Sequence, residues 1–192
     1  MIGSLTKDCV IGILGGGQLG RMLVIAASRL GYKCHVFDPN INSPASQVST
    51  FSTQASYDDL EALASFAKLV DVVTYEFENI PTDALDVIEN HVNIFPNKEA
   101  LFTSQDRLIE KKFLTNLGLR TAPFANVENA QDLNNAIKKI GTPAILKTRR
   151  LGYDGRGQVR INENTNLDNI LTQFQNAPCI LEGLVNFNKE IS

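Results

Sequence analysis

The 192-residue sequence has no tryptophan, two methionines, two histidines and three cysteines. Cys9, Cys34 and Cys179 are odd in number and far apart, and no CxxC or Cys/His spacing joins them. That excludes a disulfide framework and a zinc module, and it predicts three reduced, mostly buried thiols in a cytoplasmic protein. His35 and His91 have no companion at metal spacing, so both read as structural and no metal ligand is assigned. No apolar run approaches the roughly 18 residues of a membrane span. The N-terminus lacks a basic region followed by a long apolar stretch, so no signal peptide is expected. Charge of one sign is scarce too. Lys and Arg total 18 against 21 Asp and Glu, a net −3. A nucleic-acid binder asks for a basic field that this chain does not have. GxSxG, a Walker A loop, internal repeats and low-complexity tracts are all missing. A hydrophobic fraction of 43% and a charged fraction of 20% are ordinary globular values.

What is present is an alternation of strand and helix patterns. Residues 9–14 form a short apolar, β-branched run, as in a strand buried on both faces. Gly15-Gly-Gly-Gln-Leu-Gly20 follows at once. A helix is predicted next, with Met22, Ala26 and Leu30 spaced by four and Leu23 and Ala27 beside them, stopped by Gly31. Residues 33–37 read as a second strand, ending at Asp38 and Pro39. Asp58 and Asp59 open a helix with Leu60, Leu63 and Ala67 on one face. Residues 71–75 make a third strand, 81–90 a helix and 92–95 a fourth strand. A first domain, a doubly wound α/β unit, closes near residue 100.

The pattern then changes. A single helix is predicted over 104–117, with Ile109, Phe113 and Leu117 spaced by four. Residues 123–127 are extended, 130–140 helical and 144–147 a strand. A hairpin-like glycine-rich segment leads into 159–161, a helix covers 167–174 and a strand 179–181. Residues 188–192 begin a strand that does not finish, so the chain is expected to be a fragment of a longer protein.

Four constellations could carry chemistry. In Gly15-x-Gly17-x-x-Gly20, between a strand and a helix, backbone amides can approach an anion, and Asp38 stands where a dinucleotide fold keeps its ribose-binding acid. The loop is read three ways: NAD binding, a phosphate site for another ligand, or a tight turn. The second is Lys147 with Gly152-Tyr-Asp-Gly-Arg-Gly-Gln158. A lysine at a strand mouth beside a flexible glycine flap suits nucleotide phosphates, and Arg149, Arg150 and Arg156 cluster there in an otherwise acidic chain. The third is Glu182, after the last strand, with Glu190. The fourth is Thr74-Tyr-Glu-Phe-Glu-Asn79, two carboxylates at a strand's C-terminal mouth or simply a polar loop.

Taken in order, Gly-Gly-Gly-Gln-Leu-Gly-Arg-Met22, Thr-Tyr-Glu-Phe-Glu-Asn79, Lys147 and Gly-Tyr-Asp-Gly-Arg-Gly-Gln158 resemble the N5-carboxyaminoimidazole ribonucleotide synthases of the ATP-grasp superfamily. The resemblance implies an α/β fold. A Rossmann-like pre-ATP-grasp domain with a parallel sheet would cover residues 1–100, and a small α+β lid 101–185. Residues 186–192 would begin a large ATP-grasp lobe that is mostly absent. It further implies that ATP phosphorylates bicarbonate to carboxyphosphate, which carboxylates 5-aminoimidazole ribonucleotide. Arg107 and Lys147 would meet ATP phosphates, under a flap of Gly152, Tyr153, Asp154, Gly155, Arg156, Gly157 and Gln158. Glu182, Gly183, Leu184 and Val185 would hold adenine and ribose, with Glu190 on the ribose. Gln18, Leu19 and Glu76, with Tyr153, Asp154 and Arg156, would bind the ribonucleotide. Mg²⁺ ligands would lie in the family's later part, so this chain alone would be inactive, and the family would be a homodimer. The rivals are another ATP-grasp carboxylase or a formate-dependent transformylase, a regulatory binding fragment, and an NAD-dependent oxidoreductase using Gly15 to Gly20 and Asp38.

Overall fold

Val10–Leu14 (β1) and Lys33–Asp38 (β2) are near-continuous apolar runs, and such runs need cover on both faces. The computed structural model, which describes residues 6, 8–152 and 156–189, gives them that cover. Two units divide the chain, Met1–Phe102 and Thr103–Ser192. In the first, β1 and β2 join Phe51–Gln54 (β3) and Val72–Tyr75 (β4) in a parallel sheet of order β3-β2-β1-β4. Gln18–Arg29 (α1), Leu60–Ala67 (α2) and Thr82–Glu89 (α3) are its helices, and Lys98–Gln105 (α4) follows. One core contains Phe37, Leu63, Phe66, Val73, Leu85 and Ile88. Another gathers Ile13, Val24, Cys34, Val36 and Ala45.

Several expectations shift here. β3 was not foreseen, because Phe51-Ser-Thr-Gln is mostly exposed and offers no apolar run. The strand expected over 92–95 shrinks to one parallel bridge between Val73 and Ile94. In α1 the buried residues are Gly20 and Val24, with Ala27 packed on the same core, and not the four-spaced set. Met22 is 58% exposed and Leu30 69%. The helix carries two apolar faces, and the smaller residues let it approach the sheet. In α2, Asp59 caps the start by accepting the Ala62 N–H at 3.0 Å. Leu63, Phe66 and Ala67 are buried while Leu60 is exposed.

The second unit is an antiparallel sheet of order β5-β8-β6-β7, made by Phe124–Val127 (β5), Ala144–Thr148 (β6), Gln158–Ile161 (β7) and Cys179–Gly183 (β8). Ala130–Ile140 (α6) packs Leu133 and Ala136 on it, with Ile137 and Ile140 at the margin. The helix expected over 104–117 breaks at Asp106. Its carboxylate caps a new helix, Arg107–Asn116 (α5), by accepting the N–H groups of Leu108 (2.9 Å) and Ile109 (3.3 Å). Leu108 is the buried residue of α5, and Phe113 and Leu117 are exposed. The helix expected over 167–174 is a short 3-10 turn, Ile170–Phe174. Residues 188 and 189 are not strand, and 190–192 lie outside the described residues. The chain is therefore α/β, a Rossmann-like parallel unit followed by an α+β unit. Among the described residues no helix is long and apolar enough to cross a membrane.

Candidate functional site

In the first unit the glycine loop joins β1 to α1. Gly15 takes φ +102°, a left-handed conformation that glycine adopts without strain. Gly16 lies so close to its surroundings that a Cβ there would stand 2.2 Å from Ser43 Oγ and 2.9 Å from Asp38 Cβ. The Gly16 N–H donates to Asp38 Oδ2 at 2.7 Å, and the Gly17 N–H to Glu76 Oε1 at 2.7 Å. Helix α1 has no side-chain cap of its own at Gly17. Carboxylates at the end of β2 and just past β4 instead accept the two amides that lead into its first turn, facing the positive end of the helix dipole.

These two contacts count against the dinucleotide alternative. A pyrophosphate at these amides would displace two carboxylates or sit against their charge. Asp38 is buried and also accepts the Asn40 N–H at 2.7 Å and Asn40 Nδ2 at 3.0 Å. Gln18 and Leu19, in the first turn of α1, are exposed. Glu76 turns to the glycine loop while Glu78 is exposed, so the fourth constellation supplies one inward carboxylate. A cleft of about 450 Å³ opens here, lined by Gly15, Gly17, Asp38, Tyr57, Glu76 and Phe77 among others. Ser43 Oγ is buried on its wall with no hydrogen-bond partner among the described residues. Burial pushes the Tyr57 phenol far up, and the Asp38 and Glu76 carboxylates push it further, so it stays a protonated O–H.

In the second unit the chemistry gathers on β6, β8 and α5. Ile145 pairs with Glu182 and Lys147 with Ile180, so Lys147 and Glu182 are diagonal neighbours on one face. Lys147 Nζ donates to Glu182 Oε2 at 2.9 Å. Lys111 Nζ approaches the same oxygen at 3.5 Å from α5. Glu182 is only 7% exposed. One turn before Lys111, Arg107 donates from Nη1 to the Thr148 carbonyl (3.0 Å) and from Nη2 to the Gly152 carbonyl (2.7 Å). It thereby pins the root of the glycine hairpin, which the Thr148 N–H closes onto the Gly157 carbonyl at 2.8 Å. Gln158 then starts β7 opposite Lys147.

The arginine cluster expected around the flap is divided. Arg149 turns to Asp106, with Nε 3.0 Å from each carboxylate oxygen and Nη2 2.7 Å from Oδ2. Burial alone would raise the Asp106 carboxyl. The hydrogen bonds and charge of Arg149, with the Leu108 and Ile109 amides, overcome that and hold it below the usual range. Arg150 Nη2 donates to Gln105 Oε1 at 2.6 Å. Both arginines fasten the α4–α5 junction to the end of β6, and Arg156 alone of the cluster's arginines stays in the described flap, exposed. Tyr153, Asp154, Gly155 and Glu190 lie outside the described residues. At the end of β8, the Gly183 N–H bonds the Pro123 carbonyl (2.8 Å) and the Leu184 N–H the Pro143 carbonyl (3.2 Å), while Val185 is exposed. Asp106 and Lys111 were missed. The i, i+4 spacing of Arg107 and Lys111, and an Asp just before a helix, were the signals for them. Among the described residues there is no group of three or more His, Cys, Asp or Glu side chains that could hold a metal ion.

Comparisons with known proteins bear on this arrangement. A family model described as "Ribonucleotide synthetase preATP-grasp domain" matches residues 9–105, and one described as "ATP-grasp domain" matches residues 112–192. The chain is 46% identical over 191 residues to an N5-carboxyaminoimidazole ribonucleotide synthase of Brucella melitensis biotype 1, covering 98% of this chain and 53% of that protein. A solved ADP complex of an N5-carboxyaminoimidazole ribonucleotide synthetase superposes with a TM-score of 0.92 at 41% identity, covering 98% of this chain and 50% of that one. The Aspergillus clavatus enzyme, solved with ADP and 5-aminoimidazole ribonucleotide, gives a TM-score of 0.81 at 32% identity, covering 95% of this chain and 48% of that one. The chain thus spans about half the length of these relatives.

Proposed function

The chain belongs to the ATP-grasp ribonucleotide synthetase family, and from that premise we propose that it carries the nucleotide lid and part of the ribonucleotide site of an N5-carboxyaminoimidazole ribonucleotide synthase. The overall reaction is an ATP-dependent carbon–nitrogen ligation. A bicarbonate oxygen takes the γ-phosphoryl group of ATP, releasing ADP and giving carboxyphosphate. The amine of 5-aminoimidazole ribonucleotide then gains the carboxyl group as the C–O bond to phosphate breaks, and the amine loses a proton. Positioning and charge neutralisation do most of the work in such phosphoryl chemistry.

The observation that carries the proposal is the ion-paired Lys147, 2.9 Å from the buried Glu182 at the mouth of β6, with a glycine hairpin rooted beside it by Arg107. Lys147 would exchange its carboxylate for nucleotide phosphate. The hairpin 152–158 would close over the phosphates and exclude water from a labile acyl phosphate. Glu182 would accept from the adenine amino group or a ribose hydroxyl. Arg107 would act chiefly by holding the hairpin, its guanidinium already bonded to two carbonyls there. In the first unit Glu76, Ser43 Oγ and the Tyr57 O–H suit the amine and hydroxyl groups of the ribonucleotide better than its phosphate, because the loop amides already face carboxylates. Magnesium belongs to this reading as the ion that accompanies ATP. So does a homodimer. A cytoplasmic setting is supported by three free cysteines, and the absence of a nucleic-acid partner by the acidic balance.

A thermal-shift series tests the proposal. ADP should raise the unfolding midpoint of the chain, because a ligand that binds only the folded form stabilises it by mass action. Lys147→Ala should lose that response, and NAD(H) should move neither protein. A rise with NAD(H) and none with ADP would reverse the assignment.

A further inference from the structure

Glu182 is a single buried carboxylate facing two ammonium groups, and only one of them figured among the residues expected at the site. Lys147 reaches Glu182 Oε2 from the neighbouring strand at 2.9 Å, and Lys111 reaches the same atom from α5 at 3.5 Å. The Lys111 side chain is 17% exposed, and its ammonium stands 6.0 Å over the Phe124 ring. Phe124 is the residue paired with Glu182 across β5 and β8. Lys111 is therefore held on the side of Glu182 away from β6, with its stem packed and its charge directed.

Building on the nucleotide reading above, we infer that Lys111 is a positioning residue, the standing counter-ion of Glu182 that lets Lys147 leave the carboxylate for nucleotide phosphate. A buried carboxylate stripped of its last cation is costly. With one lysine, moving the ammonium onto phosphate would leave Glu182 bare. With two, the carboxylate keeps Lys111 while Lys147 turns. Arg107, one helical turn away, anchors α5 to the hairpin root through the Thr148 and Gly152 carbonyls, which fixes where Lys111 stands.

A double-mutant cycle on the 192-residue chain tests this, with ADP and adenosine as paired probes. Lys111→Met should weaken ADP binding by about tenfold while leaving adenosine affinity within about twofold, since Lys147 would then stay locked on Glu182. Lys147→Met should cost ADP a similar or larger factor, and the double variant should be little worse than Lys147→Met alone. Lys111→Arg should restore most of the ADP affinity. Equal losses for ADP and adenosine, or unchanged binding of both, would overturn the inference. Additive losses would overturn it too, because Lys111 would then be touching phosphate itself. If the unmodified chain fails to bind ADP, the nucleotide reading falls and this inference falls with it.

Discussion

Each unit presents a glycine-rich loop at the mouth of a strand, but the two loops meet opposite charges. In the first, Asp38 and Glu76 accept the amides of Gly16 and Gly17 at 2.7 Å each. In the second, Lys111 and Lys147 converge on Glu182, and Arg107 grips the loop's root. Glycine spacing is the same kind of signal in both. What differs is the balance of charge that the fold brings to each: two carboxylates on the first loop's amides, and two ammonium groups for one carboxylate beside the second. A helix N-terminus attracts any carboxylate within reach, and a protein carboxylate delivered by a neighbouring strand is as good a partner as a ligand's phosphate. An anion site needs donors or cations in excess of the acids that the fold itself brings.

The contrast can be broken most sharply at Gly16. Gly16→Val would place a side chain where Ser43 Oγ stands 2.2 Å from the added Cβ. A loss of about 3 kcal/mol in urea unfolding is expected, with Ser43→Gly recovering part of it. A Gly16→Val protein as stable as its parent would mean that the loop is open to ligand after all.

Asp106 probes the other unit with a somewhat smaller effect. Asp106→Asn removes the charge that Arg149 faces and should cost about 2 kcal/mol at neutral pH. The sign with pH follows from a carboxyl held below its usual range in the folded state. Its stabilisation is present in full above the unfolded value of about 3.9 and is lost as pH falls through the lower folded value. The gap between the parent and Asp106→Asn should stay constant from neutral pH to about pH 5 and close only under strong acid. A gap that closes near pH 6 would count against the Arg149 pairing.

The smallest effect is expected at Glu76. Glu76→Gln keeps a side-chain acceptor for the Gly17 N–H but removes its charge from the helix end. About 1 kcal/mol of stability should go. Inorganic phosphate should gain some protection of the variant against unfolding, because one of the two repelling carboxylates is gone.

Much of this architecture was legible in the chain. The runs at residues 10–14 and 33–38 could only be buried strands, and their spacing around α1 imposed a βαβ start. A change of pattern beyond about residue 100 was visible as shorter, turn-punctuated elements, but the antiparallel pairing of the second sheet was not. Which apolar face of α1 meets the sheet was not visible. Met22, Ala26 and Leu30 form a regular stripe, yet Gly20 and Val24 are the residues that fit beneath the helix. Periodicity reports that a face is apolar and is silent on what covers it. The break at Asp106 escaped notice because the apolar spacing runs straight through it, and only the cap geometry stops one helix and starts the next.

Local sequence determined the elements, the glycine turns and the residue types able to meet a nucleotide, since these depend on backbone sterics and on neighbours within a few positions. Tertiary structure alone decided their partners. It sent Arg149 to Asp106 and not to the flap, turned Asp38 and Glu76 onto the amides that an anion would want, and set Lys111 beside Lys147. Those residues lie tens of positions apart. Electrostatic pairing acts over a few ångströms of space, whatever the distance along the chain.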